Sequence, residues 1–161
     1  MDNLWAPWRT KYILGNKKEK KCLFCNMVRN KKRNAYVVLK TKEVFSLLNI
    51  YPYNNGHIMV VPKRHIDSIE RISPSEWQQM HFHIRAITSA LRKILKPDGF
   101  NIGINIGKVA GAGVDKHLHI HIVPRWEGDT NFMPVISQTK VISQSLKELY
   151  KSLRAAIEKE K

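Results

Sequence analysis

Three histidines in strict alternation, His117-Leu118-His119-Ile120-His121, with Ile122 and Val123 behind them, are the side chains best placed to do chemistry in this chain. A strand has a side-chain period of two, so His117, His119 and His121 fall on one face while Leu118, Ile120 and Ile122 fill the other. The apolar face supplies the packing, which leaves the imidazoles without a core role. Crowded imidazoles disfavour one another's protonation, and neutral rings offer nitrogen lone pairs for nucleophilic attack or for metal binding. A second group is Cys22-x-x-Cys25. Joined by one histidine from a strand flank, His65, and one from the triad, His117, these thiols complete a closed tetrahedral Cys2His2 zinc site and leave His119 and His121 for chemistry. A hydrolytic metal centre using all three triad histidines on one ion is the competing arrangement.

The surrounding sequence must supply the elements that hold these groups. Residues 35–40 and 44–49 read as two short strands forming a hairpin, and Ile58 to Val61 reads as a buried strand stopped by Pro62, flanked by His57 and His65. From Ser73 the period changes: Trp77, Met80, Ile84, Ile87, Leu91, Ile94 and Leu95 recur at helical spacing, with Ser73 as N-cap and Pro74 at the first helical position. On this helix Trp77 is expected in the core, and His81 and His83 on the surface. Pro97-Asp98-Gly99 ends it. Phe100, Ile102, Ile104 and Ile106 then alternate with polar and glycine positions as in a strand with one buried face, turning Asn105 away from the core. A glycine-rich turn from Gly107 to Gly113 leads into the triad, residues 126–139 read as a loop, and Leu146, Leu149, Tyr150, Leu153 and Ile157 mark a closing amphipathic helix.

Composition bounds the rest. The 161 residues fit one domain, spanning 1–161, with 1–21 as an N-terminal arm and 127–161 as a C-terminal loop and helix. With 28 Lys and Arg against 13 Asp and Glu, the formal charge of +15 favours an anionic partner, which by charge alone is nucleic acid, an acidic membrane surface or a polyphosphate. The opening residues lack the basic head and apolar run of a secretory signal, and no apolar stretch has the length of a membrane span, so the expectation is a cytoplasmic protein without a membrane partner. In that reducing compartment a Cys-x-x-Cys pair serves as metal ligands or redox thiols more often than as a structural disulfide.

His117 to Val123 resembles the signature of the histidine triad (HIT) family, and Gly56-His57-Ile58-Met59-Val60-Val61-Pro62-Lys63-Arg64-His65 is similar to another strand of that family. Leu4 to Arg9, Asn49 to Tyr53 and Pro124 to Pro134 resemble its diadenosine tetraphosphate phosphorylase and fragile-histidine-triad branch. The resemblance implies an α+β, HIT-like fold with a mainly antiparallel sheet of about five strands, packed helices, a structural zinc clip and a homodimer joined through the long helix and sheet edges. It implies that His119 is a nucleophile forming a covalent nucleotidyl intermediate, and that His121 contacts the α-phosphate or leaving group. It assigns Cys22, Cys25, His65 and His117 to zinc, Asn49 to the ribose, His57 and Asn105 to the phosphate side, and Trp126 to a position near the nucleotide.

Backbone N-H groups through Gly111, Ala112 and Gly113 are expected to approach phosphate oxygens. Gly113 and Val114 stand where many members carry Gln or Ser/Thr, and His121 stands where the nucleotidyl-hexose transferase branch carries glutamine. The function implied is cleavage of a dinucleoside polyphosphate or nucleoside 5′-phosphate derivative at the α-phosphate, by water or by phosphate. A nucleotide- or nucleic-acid-binding module with little turnover is the alternative, with nucleic acid the less favoured partner.

Overall fold

In the computed structural model, residues 22–29, 36–129, 142 and 144–159 are described. Trp5 and Trp8, the rest of the expected N-terminal arm, and Asn131 to Pro134 lie outside them. Helix α1 is Leu23–Arg29, strand β1 Val37–Lys40, β2 Val44–Leu48, β3 Ile58–Pro62, helix α2 Pro74–Leu95, β4 Gly99–Ile104, β5 Ile120–Arg125 and helix α3 Leu146–Glu158. The strands form one five-stranded sheet in the order β1-β2-β3-β5-β4. Every neighbouring pair is antiparallel.

Alternation divides the sheet into two faces. Val44, Leu48, Ile58, Val60, Leu118, Ile120 and Ile122 join Met80, Ile87, Ala90 and Leu91 of α2 and Leu149, Leu153 and Ile157 of α3 in the main core. On the other face Phe45, Leu47, Met59 and Val61 pack with Phe24 of α1. The triad belongs to this second face. Its hydrogen-bonded strand begins only at Ile120, and residues 117–119 form a lead-in tied to the segment after β3 by the Leu118 N-H, which donates to the Ile66 carbonyl.

Helix α2 starts as its sequence predicts, with a capping box between Ser73 and Glu76 and proline in its first turn. Its inward stripe, however, runs through Glu76, Met80, His83, Ile87 and Leu91. Trp77 is 47% exposed and His83 fully buried, the reverse of the expectation for both. Met80, Ile87 and Leu91 lie inward as predicted, but in the first turn the inward position belongs to Glu76, about 100° around the helix from the more apolar Trp77. Glu76 tolerates burial because Arg64 pairs with it and the Ser73 N-H donates to it, and the guanidinium above all holds its carboxyl down at about 2. His83 tolerates burial because its ring nitrogens meet the Ser46 and Thr41 hydroxyls. The expected buried face of β4 is also partial, since Ile102 is 47% exposed on this edge strand and Ile106, beyond its end, is 46% exposed.

Gly56 has φ of +79°, and a Cβ there would lie 2.8 Å from Leu95 and 2.9 Å from Pro124, so only glycine lets the loop before β3 lie against the end of α2.

Burial pushes the His83 pKa from 6.5 down to about 4, with the Lys63 charge adding to it. Between those values the unfolded chain takes up a proton that the folded chain refuses, so the stability His83 contributes is complete above its unfolded pKa and is lost as pH falls towards 4. Urea unfolding of wild type and His83→Gln across this range is expected to show an extra acid-side loss in wild type on the order of 3 kcal/mol.

Candidate active site and metal centre

Two polar clusters share the face opposite α2 and α3. The first joins Cys22, Cys25, His65 and His117, whose donor atoms all lie within 4.8 Å of one another. The Cys22 sulfur is 3.2 Å from His117 Nδ1, the Cys25 sulfur 3.2 Å from His65 Nδ1 and 3.7 Å from His117 Nδ1, and the two Nδ1 atoms are 3.3 Å apart. Tetrahedral ligands at zinc bond lengths stand about 3.3–3.6 Å apart, so four donors with this spacing can hold such an ion.

His117 Nε2 lies 2.9 Å from the Pro62 carbonyl and donates its proton there, which leaves the Nδ1 lone pair facing the cluster. Burial pushes the His117 pKa down to about 4, with the His65 and His119 charges adding to it and the Pro62 carbonyl opposing it. Burial also pushes the Cys25 thiol up, with Cys22 adding to it. A bound cation reverses that preference, because thiolate is the form that ligates.

The second cluster is His57, His119 and His121. His119 Nδ1 is 2.8 Å from the His117 carbonyl and donates to it, so in the neutral ring the lone pair lies on Nε2. Burial lowers the His119 pKa against that hydrogen bond and favours this neutral form. A parallel chain fixes His121. The Tyr53 N-H donates to His57 Nδ1 at 3.0 Å, His57 Nε2-H donates to His121 Nδ1 at 2.9 Å, and the His121 proton therefore sits on Nε2. The His119 and His121 ring centroids are 4.7 Å apart. A nitrogen lone pair and an N-H donor thus stand side by side, the pairing needed to attack a phosphorus centre while stabilising its oxygens.

The structure brings together most of the residues expected from sequence. Asn49 Nδ2 lies 3.3 Å from His57 Nδ1, and Asn49 Oδ1 accepts from the Tyr51 N-H. The β4–β5 register ends where Ile104 pairs with Ile120, and Asn105 follows directly after it. The Asn105 amide donates to the Gly111 carbonyl at 3.4 Å. Two of the expected phosphate donors are engaged within their own turn: the Gly111 N-H donates to Lys108 and the Ala112 N-H to Gly107. The Gly113 N-H is the remaining member of that set.

Trp126 is separated from His121 by about 17 Å of extended chain, and its N-H donates to Asp129. The three-histidine metal centre is not formed, because His117 joins the thiols while His119 bonds the His117 carbonyl.

Three features escaped the sequence reading. Phe24 packs on both His117 and His119, Tyr53 stacks on His121 with ring centroids 5.5 Å apart, and Met27, Val28, Val37, Lys40 and Phe45 line a small cavity on this face. Phe45 lies on a strand buried on both faces, and Phe24 and Tyr53 are fixed only by tertiary contact.

A model of the HIT domain matches residues 30–128. The chain belongs to the histidine triad family. It is 33% identical to an AP-4-A phosphorylase of Mycobacterium tuberculosis over 92% of this chain and 80% of that protein. Among solved structures, a hypothetical histidine triad nucleotide-binding protein of Sulfolobus tokodaii aligns with a TM-score of 0.71 and 28% identity over 86% of this chain and 93% of that one. A Zn-bound histidine triad family protein of Mycobacterium smegmatis aligns with a TM-score of 0.68 and 30% identity, covering 86% and 94% of the two chains. No helix among the described residues of this family member is long and apolar enough to cross a membrane.

Because four donors from separate segments converge here, removing a bound ion is expected to cost stability. The purified HIT protein should carry about one metal per chain by elemental analysis, and chelation should lower its melting temperature by about 5 °C or more. Cys25→Ser should lower both metal content and melting temperature, and an unchanged melting temperature after complete chelation would contradict a structural site.

Proposed function

We propose that this protein cleaves dinucleoside polyphosphates such as diadenosine tetraphosphate at the α-phosphate through a covalent nucleotidyl intermediate on His119. The observation that carries this reading is the tautomer of His119, whose Nδ1 proton is held by the His117 carbonyl so that Nε2 keeps its lone pair beside the His121 Nε2-H. Attack by Nε2 forms an N–P bond to the α-phosphorus and breaks the bond to the bridging oxygen, whose electron pair leaves with the polyphosphate product. The developing positive charge on the imidazole is stabilised through Nδ1-H by the His117 carbonyl. His121 donates to a phosphoryl or leaving-group oxygen, and His57 holds it in the donor tautomer.

Asn49, whose amide lies 3.3 Å from His57 Nδ1, is the ribose-side group in this scheme. Asn105 and the Gly113 N-H lie on the phosphate side. The nucleotidyl group then passes from His119 to inorganic phosphate or to water. Similarity to an AP-4-A phosphorylase supports the substrate class.

We assign zinc to Cys22, Cys25, His65 and His117 as a structural ion, on the Cys2His2 donor set and the Zn-bound relative. Zinc there supplies cross-linking and no reacting group. A thiol-ligated site of this kind suits a reducing, cytoplasmic setting. The exposed apolar side chains Trp77 and Phe82 of α2, Ile102 of β4 and Ile106 just beyond it support a homodimer, for which light scattering should give twice the chain mass.

Wild type and His119→Ala, incubated with diadenosine tetraphosphate with and without inorganic phosphate, decide the reading. Wild type is expected to yield ADP plus ATP if phosphate resolves the intermediate and AMP plus ATP if water does, and His119→Ala should be slower by at least about 10³-fold. An adenylyl adduct at His119 in quenched wild-type samples is the direct signature. Equal turnover by the two proteins would overturn the nucleophile assignment.

A further inference from the structure

Phe24 lies within the Cys22-x-x-Cys25 turn and is 1% exposed. Its ring centroid is 5.3 Å from that of His117 and 5.1 Å from that of His119, with Phe45 at 6.4 Å on its sheet-facing side. Two of the groups that fix the His119 ring therefore belong to the metal cluster's own segments. His117 offers Nδ1 to the cluster and its carbonyl to His119 Nδ1-H. Phe24 is tethered on both sides by cysteines whose sulfurs lie 3.2 Å from His117 and His65 nitrogens. Helix α1 has 7 residues, too few to be stable by itself, so its position depends on these contacts.

We infer that the metal clip positions the nucleophile: Phe24, seated by the ion at Cys22 and Cys25, packs against His119 and confines its ring to the orientation in which Nδ1-H meets the His117 carbonyl. This makes Phe24 a positioning residue, and it rests on the reading of His119 as nucleophile. Without the Phe24 ring, His119 gains freedom about its side-chain torsions. Each excursion releases the Nδ1-H bond, and the proton is then free to occupy Nε2, which removes the attacking lone pair. Apolar neighbours such as Met59 and Val61 hold Phe24 in place but do not substitute for it, since neither is part of the tethered turn.

The test uses full-length zinc-loaded protein, with zinc content measured for every sample. Long-range ¹H–¹⁵N NMR of the imidazoles reads the tautomer of His119 directly. In wild type a single Nδ1-H form is expected. In Phe24→Ala zinc should remain at the wild-type ratio, His119 should shift towards a tautomer mixture, and kcat on diadenosine tetraphosphate should fall by about tenfold or more with KM within about twofold. Phe24→Leu, which keeps apolar volume, should show the same changes to a smaller degree. Stripping zinc from wild type should move the His119 signal in the same direction.

A zinc-loaded Phe24→Ala with wild-type kcat and an unaltered His119 signature would overturn the inference, as would losses confined to KM. If Phe24→Ala fails to fold or to hold zinc, Phe24→Leu decides on the same readouts. The NMR signature is read without turnover, so an active His119→Ala would sink the nucleophile assignment alone and leave the link between Phe24 and the His119 ring to be judged on its own result.

Discussion

The antiparallel pairing of β3 with β5 is the constraint on which both clusters depend. Ile58 faces Ile122, Met59 faces His121 and Val60 faces Ile120, so two segments more than fifty residues apart are locked in one register. Antiparallel geometry then works in both directions from this pairing. At one end the residue before β3, His57, meets His121. At the other the residues after β3, His65 and Ile66, meet His117 and Leu118. A slip by one residue would send Ile120 and Ile122 to the polar face and His121 into the α2 core, and that cost holds the register. The apolar core thus specifies the imidazole geometry through the register it enforces.

Burial and hydrogen bonding act together on the imidazoles. Removing charge from a buried ring is favourable, and the carbonyls of Pro62 and His117 then choose which nitrogen keeps the proton. The two outcomes are opposite. His117 keeps its lone pair on Nδ1, towards the thiols, and His119 keeps its lone pair on Nε2. Alternating rings of one residue type acquire different chemistry from backbone acceptors that are themselves products of the sheet.

Much of this was legible in the sequence because it follows from short periods. The alternation around His119 gave the two faces of β5, Ser73 followed by Pro74 gave the start of α2, and Cys-x-x-Cys with His65 and His117 gave the metal cluster that the structure assembles. What was not legible depends on partners distant in sequence. His83 reads as a surface residue until Ser46 and Thr41 are placed against it, and Glu76 reads as exposed until Arg64 arrives. Trp77 was misplaced for the same reason, since hydropathy cannot see that a buried carboxylate has taken the inward position. Residues 117–119 read as strand yet stand outside the ladder, because alternation reports which way side chains face and carries no information about where hydrogen bonding begins. Phe24 was missed because an aromatic between two cysteines has no periodic signature at all.

The arrangement of His117 also limits how this chain can diverge. One residue supplies a side chain to the metal cluster and a main-chain oxygen to His119, so the spacing between them has no slack. Gain or loss of a single codon between positions 117 and 121 would disturb both centres and the sheet register at once. The short helical turn from Lys108 to Ala110 carries no such double duty, and the fully exposed Val109 sits within it. Length variation among descendants of this sequence is therefore expected to accumulate in that turn, with the triad itself passing unchanged through insertions and deletions on its N-terminal side.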